Sequence, residues 1–200
     1  MKKRKTKQLV LIASLAAVSA VLMVFRFPIP FMPPFLSFDL AGVPELIGAF
    51  CLGPLAGVMI IIVRILVQLV ISGTNSMFTG ELQSFLLSVA LVLPASWLYT
   101  KNKTKNGAIK AMLVAIVVNV VMAVFTNMVI IIPFYVTLYG MSMNDIIAMT
   151  QAVNPYVDSA FKLVILGIVP FNLLKSGVVC LVTLMVYKKL SLVIHRYSEM

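Results

Sequence analysis

The chain has 200 residues, of which 62% are hydrophobic and only 11% are charged. A soluble globular domain is about 45–50% apolar, so this composition excludes one and indicates an integral membrane protein with a single domain over residues 1–200. The net charge of +10 does not indicate a nucleic-acid-binding protein. Most basic residues instead lie beside apolar runs, as the positive-inside rule describes for cytoplasmic anchors, in the stretches 1–7, 101–110 and 187–196.

The apolar runs predict an all-α protein, because a bilayer is crossed by helices of about 20 apolar residues or by closed barrels. The run 41–72 is too long for one span, and Gly53-Pro54 interrupts it, so we predict two short helices there. If all three basic stretches are cytoplasmic, an even number of helices has to precede residues 101–110. With the run 41–72 divided in two, four helices precede that stretch; with the run undivided, three would. We therefore predict six transmembrane helices with both termini in the cytoplasm, from the apolar runs 8–26, 41–72, 79–100, 107–138 and 160–187.

The segment after the first predicted helix, FRFPIPFMPPFLSFDL, combines phenylalanines with four prolines. Proline prevents a helix and stiffens the chain, which leaves the aromatic rings to lie over the mouth of the bundle. We interpret residues 27–40 as an extracellular lid that covers a flat ligand. Anchoring of the same rings at the membrane interface is the alternative.

Polar side chains from three predicted helices fall at a similar depth. Counted from the basic anchors at 1.5 Å per residue, four of them lie in the outer part of the bundle: Asn127, Asn172, Lys175 and Glu81. Asparagine offers donors and an acceptor and lysine offers donors, which suits a planar heterocycle with amide-like edges. We therefore predict a ligand cavity near the extracellular side. The alternative is that the asparagines join helices while Lys175 pairs with Glu81 or reaches the interface.

The first helix carries small residues that allow another helix to approach closely. They form the two pairs Ala13–Ala17 and Ala16–Ala20, each with a spacing of four residues. The alanines either pack inside the bundle or contact a separate membrane subunit, and the spacing alone does not decide between these interpretations.

The sequence lacks a catalytic or metal-binding set. No Walker A, G-x-S-x-G, H-E-x-x-H or paired-cysteine motif occurs. A further buried charge, Arg64, is expected to form a structural ion pair with Glu45 or Glu81, with a ligand contact as the second possibility. We therefore predict a binding subunit without a cofactor or metal rather than an enzyme, and any energy for uphill transport has to come from a partner.

Four segments of the chain resemble the riboflavin-specific S component of energy-coupling factor (ECF) transporters, and the resemblance covers about residues 8–190. The segments are FPIPFMPPFLSFDLAGVPELIGAFCLGPLAGV, FTGELQSFL, TNMVIIIPFY and PFNLLKSGVV, in that order. In this family the asparagine before the I-P-x-Y segment and the N-x-x-K pair hydrogen-bond the isoalloxazine ring. The resemblance therefore implies this role for Asn127, and for Asn172 with Lys175.

The resemblance also implies the rest of the site and the partners. Glu81 is expected near the ribityl hydroxyls, and Phe38 and Asp39 are expected in the lid. Ala13 and Ala17 are the preferred pair for contact with a transmembrane coupling subunit, which carries two ATPases that consume the ATP. In the family, the six-helix protein binds the vitamin from outside under its first loop. It then topples in the membrane and releases the vitamin inward.

The predicted function is capture of riboflavin at the plasma membrane by a multi-pass binding subunit of an ATP-driven uptake transporter; binding of FMN is left open. Riboflavin is uncharged at neutral pH, which suits a cavity with one lysine and no arginine cluster for phosphate. The alternatives are an S component for thiamine or pantothenate, an intramembrane enzyme acting on lipid or isoprenoid, and a structural assembly protein. The scattered acidic residues disfavour the enzyme. Arg64 stands where the family has a lysine, so its role is open.

Overall fold

The computed structural model describes residues 2–74 and 76–199, and most of this part of the chain is helical. The helices of the first half are α1 (Lys2–Val24), α2 (Gly42–Leu52), α3 (Pro54–Ser72), α4 (Thr79–Lys101) and α5 (Lys105–Thr126). Those of the second half are α6 (Ile132–Tyr139), α7 (Met143–Gln151), α8 (Ala160–Lys162) and α9 (Val169–Glu199). Two short antiparallel strands, β1 (Phe27–Pro28) and β2 (Ser37–Phe38), pair within the first loop.

The predicted all-α membrane fold is confirmed, but one of the six predicted helices is short. Within the described residues, five helical segments are long and apolar enough to cross a membrane: Lys5–Val24, Pro54–Ser72, Thr79–Lys101, Lys105–Tyr139 and Ala160–Leu190. Helix α2 has 11 residues, so at 1.5 Å per residue it is about 16 Å long, against roughly 30 Å of hydrocarbon. The structure therefore does not confirm six full spans, and the cytoplasmic position of both termini stays a prediction. The basic residues from Lys2 onwards lie in the first turns of α1.

The break between α2 and α3 lies where the sequence predicts it. Gly53 has a φ of 101°, a backbone conformation that residues with a Cβ atom rarely adopt. Pro54 then begins α3, where the missing proline N–H leaves no helical hydrogen bond unmade. The two residues thus end one helix and begin the next without a longer loop between them.

The main core lies where α2, α3, α4, α5 and α9 pack together, and small residues set their spacing. A Cβ atom at Gly57 would lie 2.6 Å from Cβ of Ala49 and 2.7 Å from Cγ1 of Val92. Glycine therefore allows α3 to pack closely against both α2 and α4. Residues 43–50 of α2 are all buried. This short helix is thus a central element of the bundle, and its first turn brings Glu45 into the interior.

Three connecting segments lie at one end of the bundle, which we call the loop end; they contain residues 25–41, residues 73–74 with 76–78, and residues 140–159. The amide of Asn154 donates to the carbonyl of Phe31 across 3.3 Å, which joins the first and third of these segments. The third segment contains α7. Ser142 and Asp145 cap that helix reciprocally through their side chains and backbone N–H groups.

Both helices that carry the predicted site residues in the second half of the chain contain a π-helical segment. One segment, Asn127–Ile131, links α5 to α6, and the other, Leu163–Ile168, links α8 to α9. In a π-helical turn the hydrogen bonds run between residues five apart, and such turns are frequent at functional sites. Asn127 is the first residue of one segment and Asn172 lies four residues after the other.

Candidate ligand-binding site

A cavity of about 360 Å³ lies at the loop end, within the size range of small-molecule sites. The first loop and the π-helical segment after α5 contribute to its walls, together with seven helices: α1, α2, α3, α4, α5, α6 and α9. Five of the six side chains predicted to bind substrate line it: Asp39, Glu81, Asn127, Asn172 and Lys175. The fold therefore brings together residues that are up to 136 positions apart.

The two asparagines are held in the same way. Nδ2 of Asn127 donates to the carbonyl of Ala123 over 2.7 Å, and Nδ2 of Asn172 donates to the carbonyl of Ile168 over 2.8 Å. Both side chains are buried. A side-chain amide has two N–H hydrogens and one oxygen acceptor. In each asparagine the bond just described uses one N–H hydrogen, and it does not use the second N–H hydrogen or the oxygen. The local bonds therefore fix two amides that can both donate and accept at the cavity wall.

Lys175 connects α9 to the first loop. Its Nζ atom lies 2.7 Å from Oδ2 of Asp39 and donates to the carbonyl of Ser37 over 3.2 Å. Asp39 is buried, and its Oδ1 atom accepts from the backbone N–H of Ala41. The lysine side chain keeps 31% of its surface exposed, so part of it is open to the cavity. The predicted lid thus contacts the predicted site through this ion pair.

The sixth predicted residue, Phe38, does not line the cavity. Its ring is buried and lies 5.5 Å, centroid to centroid, from the ring of Phe27, its partner across the hairpin. Successive side chains of a strand point to opposite faces. Because Ser37 and Asp39 line the cavity, Phe38 between them points to the other side. Phe35 is the phenylalanine of this loop that reaches the cavity wall.

Glu81 lies in the first turn of α4 and is buried. Its Oε2 atom accepts hydrogen bonds from Oγ1 of Thr74 over 3.2 Å and from Oγ of Ser76 over 3.1 Å. A carboxylate in the first turn also interacts favourably with the helix dipole. Glu81 therefore holds Thr74 and Ser76 with one carboxylate oxygen, and its other oxygen atom takes no part in these two bonds.

Arg64 forms the predicted buried ion pair, and its partner is Glu45 rather than Glu81. Its Nε atom donates to Oε1 of Glu45 over 2.9 Å, and the two side chains are 1% and 0% exposed. The Nη atoms donate to the hydroxyl oxygens of Ser84 over 2.8 Å and of Ser88 over 3.1 Å. The pair therefore joins α2, α3 and α4, and both members also line the cavity.

Helices α3 and α4 contribute a polar wall that was not predicted from the sequence. Gln68, Gln83, Ser84 and Ser88 line the cavity. The sequence does contain a signal for them, because Arg64 and Gln68 are four residues apart, as are Ser84 and Ser88. Residues with this spacing share a helix face, so each apolar helix carries one polar face near the loop end.

The charged groups around the cavity balance. The sequence predicted one lysine, but the lining contains three basic residues and three acidic ones, so their formal charges cancel. Arg64 forms an ion pair with Glu45, and Lys175 forms one with Asp39. Two of the three basic residues therefore have an acidic partner within the lining. The six residues are Arg26, Arg64, Lys175, Asp39, Glu45 and Glu81.

The four alanines predicted as a partner interface divide between two faces of α1. Ala13 and Ala17 are exposed, whereas Ala16 and Ala20 are buried. Ala16 belongs to a small core cluster with Ile60 of α3. Residues four apart lie on the same face of a helix, so each pair shares one face. The pair Ala16 and Ala20 packs inside the bundle, and the pair Ala13 and Ala17 faces outward. The prediction of a partner contact is therefore limited to Ala13 and Ala17.

A bundle of apolar helices with a charge-balanced polar cavity at one end is typical of a substrate-binding protein embedded in a membrane. The chain belongs to the substrate-specific components of ECF transporters, a family that it matches over residues 7–187. It is therefore a multi-pass protein of the cell membrane and a transporter component rather than an enzyme. The resemblance seen in the sequence is confirmed.

Curated relatives and a solved structure agree with this family. The chain is 30% identical to the riboflavin transporter FmnP of Bacillus subtilis, over 93% of this chain and 93% of the relative. It is 28% identical to the riboflavin transporter RibU of Staphylococcus aureus, over 94% of this chain and 92% of the relative. A solved S component of a bacterial ECF transporter has a TM-score of 0.73 and 27% identity, and the match covers 94% of this chain and 96% of that one.

Proposed function

We propose that this protein binds riboflavin and is the substrate-binding subunit of an ECF uptake transporter. The observation that carries the proposal is the convergence of Asn127, Asn172 and Lys175 on one cavity. The family resemblance gives these residues contacts with the isoalloxazine ring. The relatives described above are riboflavin transporters by name.

The chemistry of the cavity supports a flavin ring. One edge of the isoalloxazine ring presents carbonyl oxygens and an N–H group, which match two amides and an ammonium group. The aromatic side chains of Phe35, Tyr135 and Phe171 also line the cavity, and their rings suit the faces of a flat aromatic system. The balanced charges suit a ligand that is uncharged at neutral pH.

The absorption spectrum of the purified protein tests this proposal. Protein extracted in mild detergent from cells grown with riboflavin is expected to be yellow and to show a flavin spectrum. Riboflavin is also expected to raise its melting temperature, because a ligand that binds the folded state stabilises it. A colourless protein that thiamine or pantothenate stabilises, and riboflavin does not, would contradict the proposal.

We further propose that a transmembrane coupling subunit docks on the outward face of α1 that contains Ala13 and Ala17. Two ATPases bound to that subunit would supply the energy. Small residues allow close helix approach where the hydrophobic effect does not drive association, as in a bilayer. The exposure of both alanines supports this surface.

Larger side chains on this face are expected to prevent the complex. In the double variant Ala13→Leu/Ala17→Leu, the added bulk keeps the partner helix at a distance, so co-purification with co-expressed coupling and ATPase subunits is lost. Riboflavin binding by the isolated protein is unchanged, because neither residue lines the cavity. Ala148→Leu, an exposed position of α7, is the matched control. Normal co-purification of the double variant would exclude this surface.

A further inference from the structure

The charges of the chain are divided unequally between the two ends of the bundle. Five of the six acidic residues lie in the loop end or in the first helical turn after it: Asp39, Glu45, Glu81, Asp145 and Asp158. Twelve of the sixteen lysine and arginine residues lie toward the opposite end, with five in 2–7, four in 101–110 and three in 188–196. An excess of positive charge of this size favours an anionic partner.

The turn between α4 and α5 carries the densest part of this charge that belongs to one hairpin. We call residues 97–110 the basic turn. Its four lysines are all exposed: Lys101, Lys103, Lys105 and Lys110. No acidic residue occurs in the sequence between Glu81 and Asp145. Neither helix therefore offers a carboxylate near this turn.

The basic turn has a defined local structure. Oγ1 of Thr104 accepts from the backbone N–H of Gly107 over 3.0 Å and donates to Oδ1 of Asn102 over 2.9 Å, so Thr104 caps α5. A Cβ atom at Gly107 would overlap the carbonyl oxygen of Asn102, so glycine allows the first turn of α5 to close against the end of α4. The short turn keeps the first three lysines in one small region.

Trp97 indicates the level of the membrane surface beside these lysines. It is the single tryptophan of the chain, and 55% of its surface is exposed. Nζ of Lys101 lies 3.6 Å from the centroid of its ring, which is a cation–π contact. Tryptophan is enriched where the hydrocarbon of a bilayer meets the head groups. Leu93, one turn earlier in α4, and Leu113 of α5 are also exposed, so an apolar surface continues from this level along both helices.

We infer that the basic turn binds the head group of an anionic phospholipid, whose acyl chains cover the exposed apolar residues of α4 and α5. The phosphate oxygens accept charge-assisted hydrogen bonds from lysine ammonium groups. The head group of a zwitterionic lipid carries its own cation and therefore does not complement the charge of the turn. This inference is independent of the transported vitamin, because none of these residues lines the cavity.

The fluorescence of Trp97 tests the inference on the full-length protein without added vitamin. The protein is reconstituted into phosphatidylcholine vesicles that contain the same small fraction of either dibrominated phosphatidylglycerol or dibrominated phosphatidylcholine. Bromine atoms on an acyl chain quench a tryptophan only when that lipid is adjacent to it. Phosphatidylglycerol is expected to associate at least about fivefold more strongly, which is the effect of one lysine near an anionic surface. Added salt is expected to reduce this preference, because it screens exposed charges.

A triple variant shows whether the lysines cause the preference. In Lys101→Gln/Lys103→Gln/Lys105→Gln the side chains stay polar but lose their charge, so both brominated lipids are expected to quench equally. Comparing the two lipids on the same variant cancels any change in Trp97 emission that follows from loss of the Lys101 contact. Lys162→Gln, an exposed lysine at the start of the last spanning segment near the loop end, is the matched control and keeps the full preference.

Two results would overturn the inference. One is equal quenching of the unmodified protein by both lipids, which would leave an acidic protein surface as the partner of this end. The other is a preference for phosphatidylglycerol that persists in the triple variant, which would assign it to the apolar residues. The melting temperature of the triple variant in detergent without lipid is expected to match that of the unmodified protein and shows that the variant folds. The salt dependence of the unmodified protein tests the same inference without any substitution.

Discussion

Replacement of Lys175 by alanine is expected to lower riboflavin affinity tenfold or more. A hydrogen bond from a charged donor contributes about 1.5–3 kcal/mol, and about 1.4 kcal/mol corresponds to a factor of ten in affinity. Lys175 lines the cavity with part of its side chain exposed, so its ammonium group can reach a ring carbonyl. Equilibrium titration of the purified protein with riboflavin, followed by fluorescence quenching, measures the change.

Two further variants show whether Lys175 acts directly on the ligand. Lys162→Ala removes a lysine that is paired with Asp158 on the exposed side of α8 and does not line the cavity. Its affinity is expected to match that of the unmodified protein. Asp39→Asn keeps Lys175 and removes its ion pair with the first loop, so a smaller loss is expected. If Asp39→Asn and Lys175→Ala lose the same affinity, Lys175 acts by holding the loop, and the direct contact is excluded.

Loss of the buried Arg64–Glu45 pair is expected to have the largest effect on stability. Arg64→Met leaves the Glu45 carboxylate buried without its cation and removes the donors that contact Ser84 and Ser88. Removal of one partner from a buried ion pair typically costs about 3–5 kcal/mol. The ligand-free melting temperature in detergent is therefore expected to fall sharply.

The double variant Glu45→Gln/Arg64→Met separates the charge from the rest of the interaction. With both charges gone, no uncompensated ion remains in the interior, so most of the stability lost in Arg64→Met is expected to return. Arg26→Met is the matched control, because Arg26 lies in an exposed position in the first loop and its removal leaves no buried charge. A melting temperature of Arg64→Met equal to that of Arg26→Met would contradict a structural role for the pair.

The features that the sequence predicted correctly have local causes. Gly53-Pro54 breaks a helix through its own backbone preferences, so the break needed no knowledge of neighbouring helices. The depth of Asn127, Asn172 and Lys175 followed from a residue count along each helix, and their common cavity followed from that depth. A buried ion pair of Arg64 with Glu45 or Glu81 followed from the cost of an isolated charge in an apolar interior, and the structure pairs Arg64 with Glu45.

The features that the sequence did not predict depend on the direction in which a side chain points or on contacts between residues that are far apart in the chain. The alanine pairs of α1 look equivalent in the sequence, and only the position of α3 decides that Ala16 is buried while Ala13 is exposed. The family resemblance placed Phe38 in the lid of the site, whereas the pairing with Phe27 in the hairpin turns this ring away from the cavity. Gln68 and Gln83 were overlooked because each is an isolated amide until the fold places both in one wall.

The balance of charges around the cavity has a consequence for energetics in the membrane. The formal charges of the three basic and three acidic residues of the lining cancel, and riboflavin is uncharged at neutral pH. Displacement of one unbalanced charge through the full transmembrane voltage involves about 2.3 kcal/mol per 100 mV. Because the charges cancel, a movement that carried the occupied cavity through the electric field as a unit would do almost no net electrical work. The resting potential would then neither assist uptake nor oppose it.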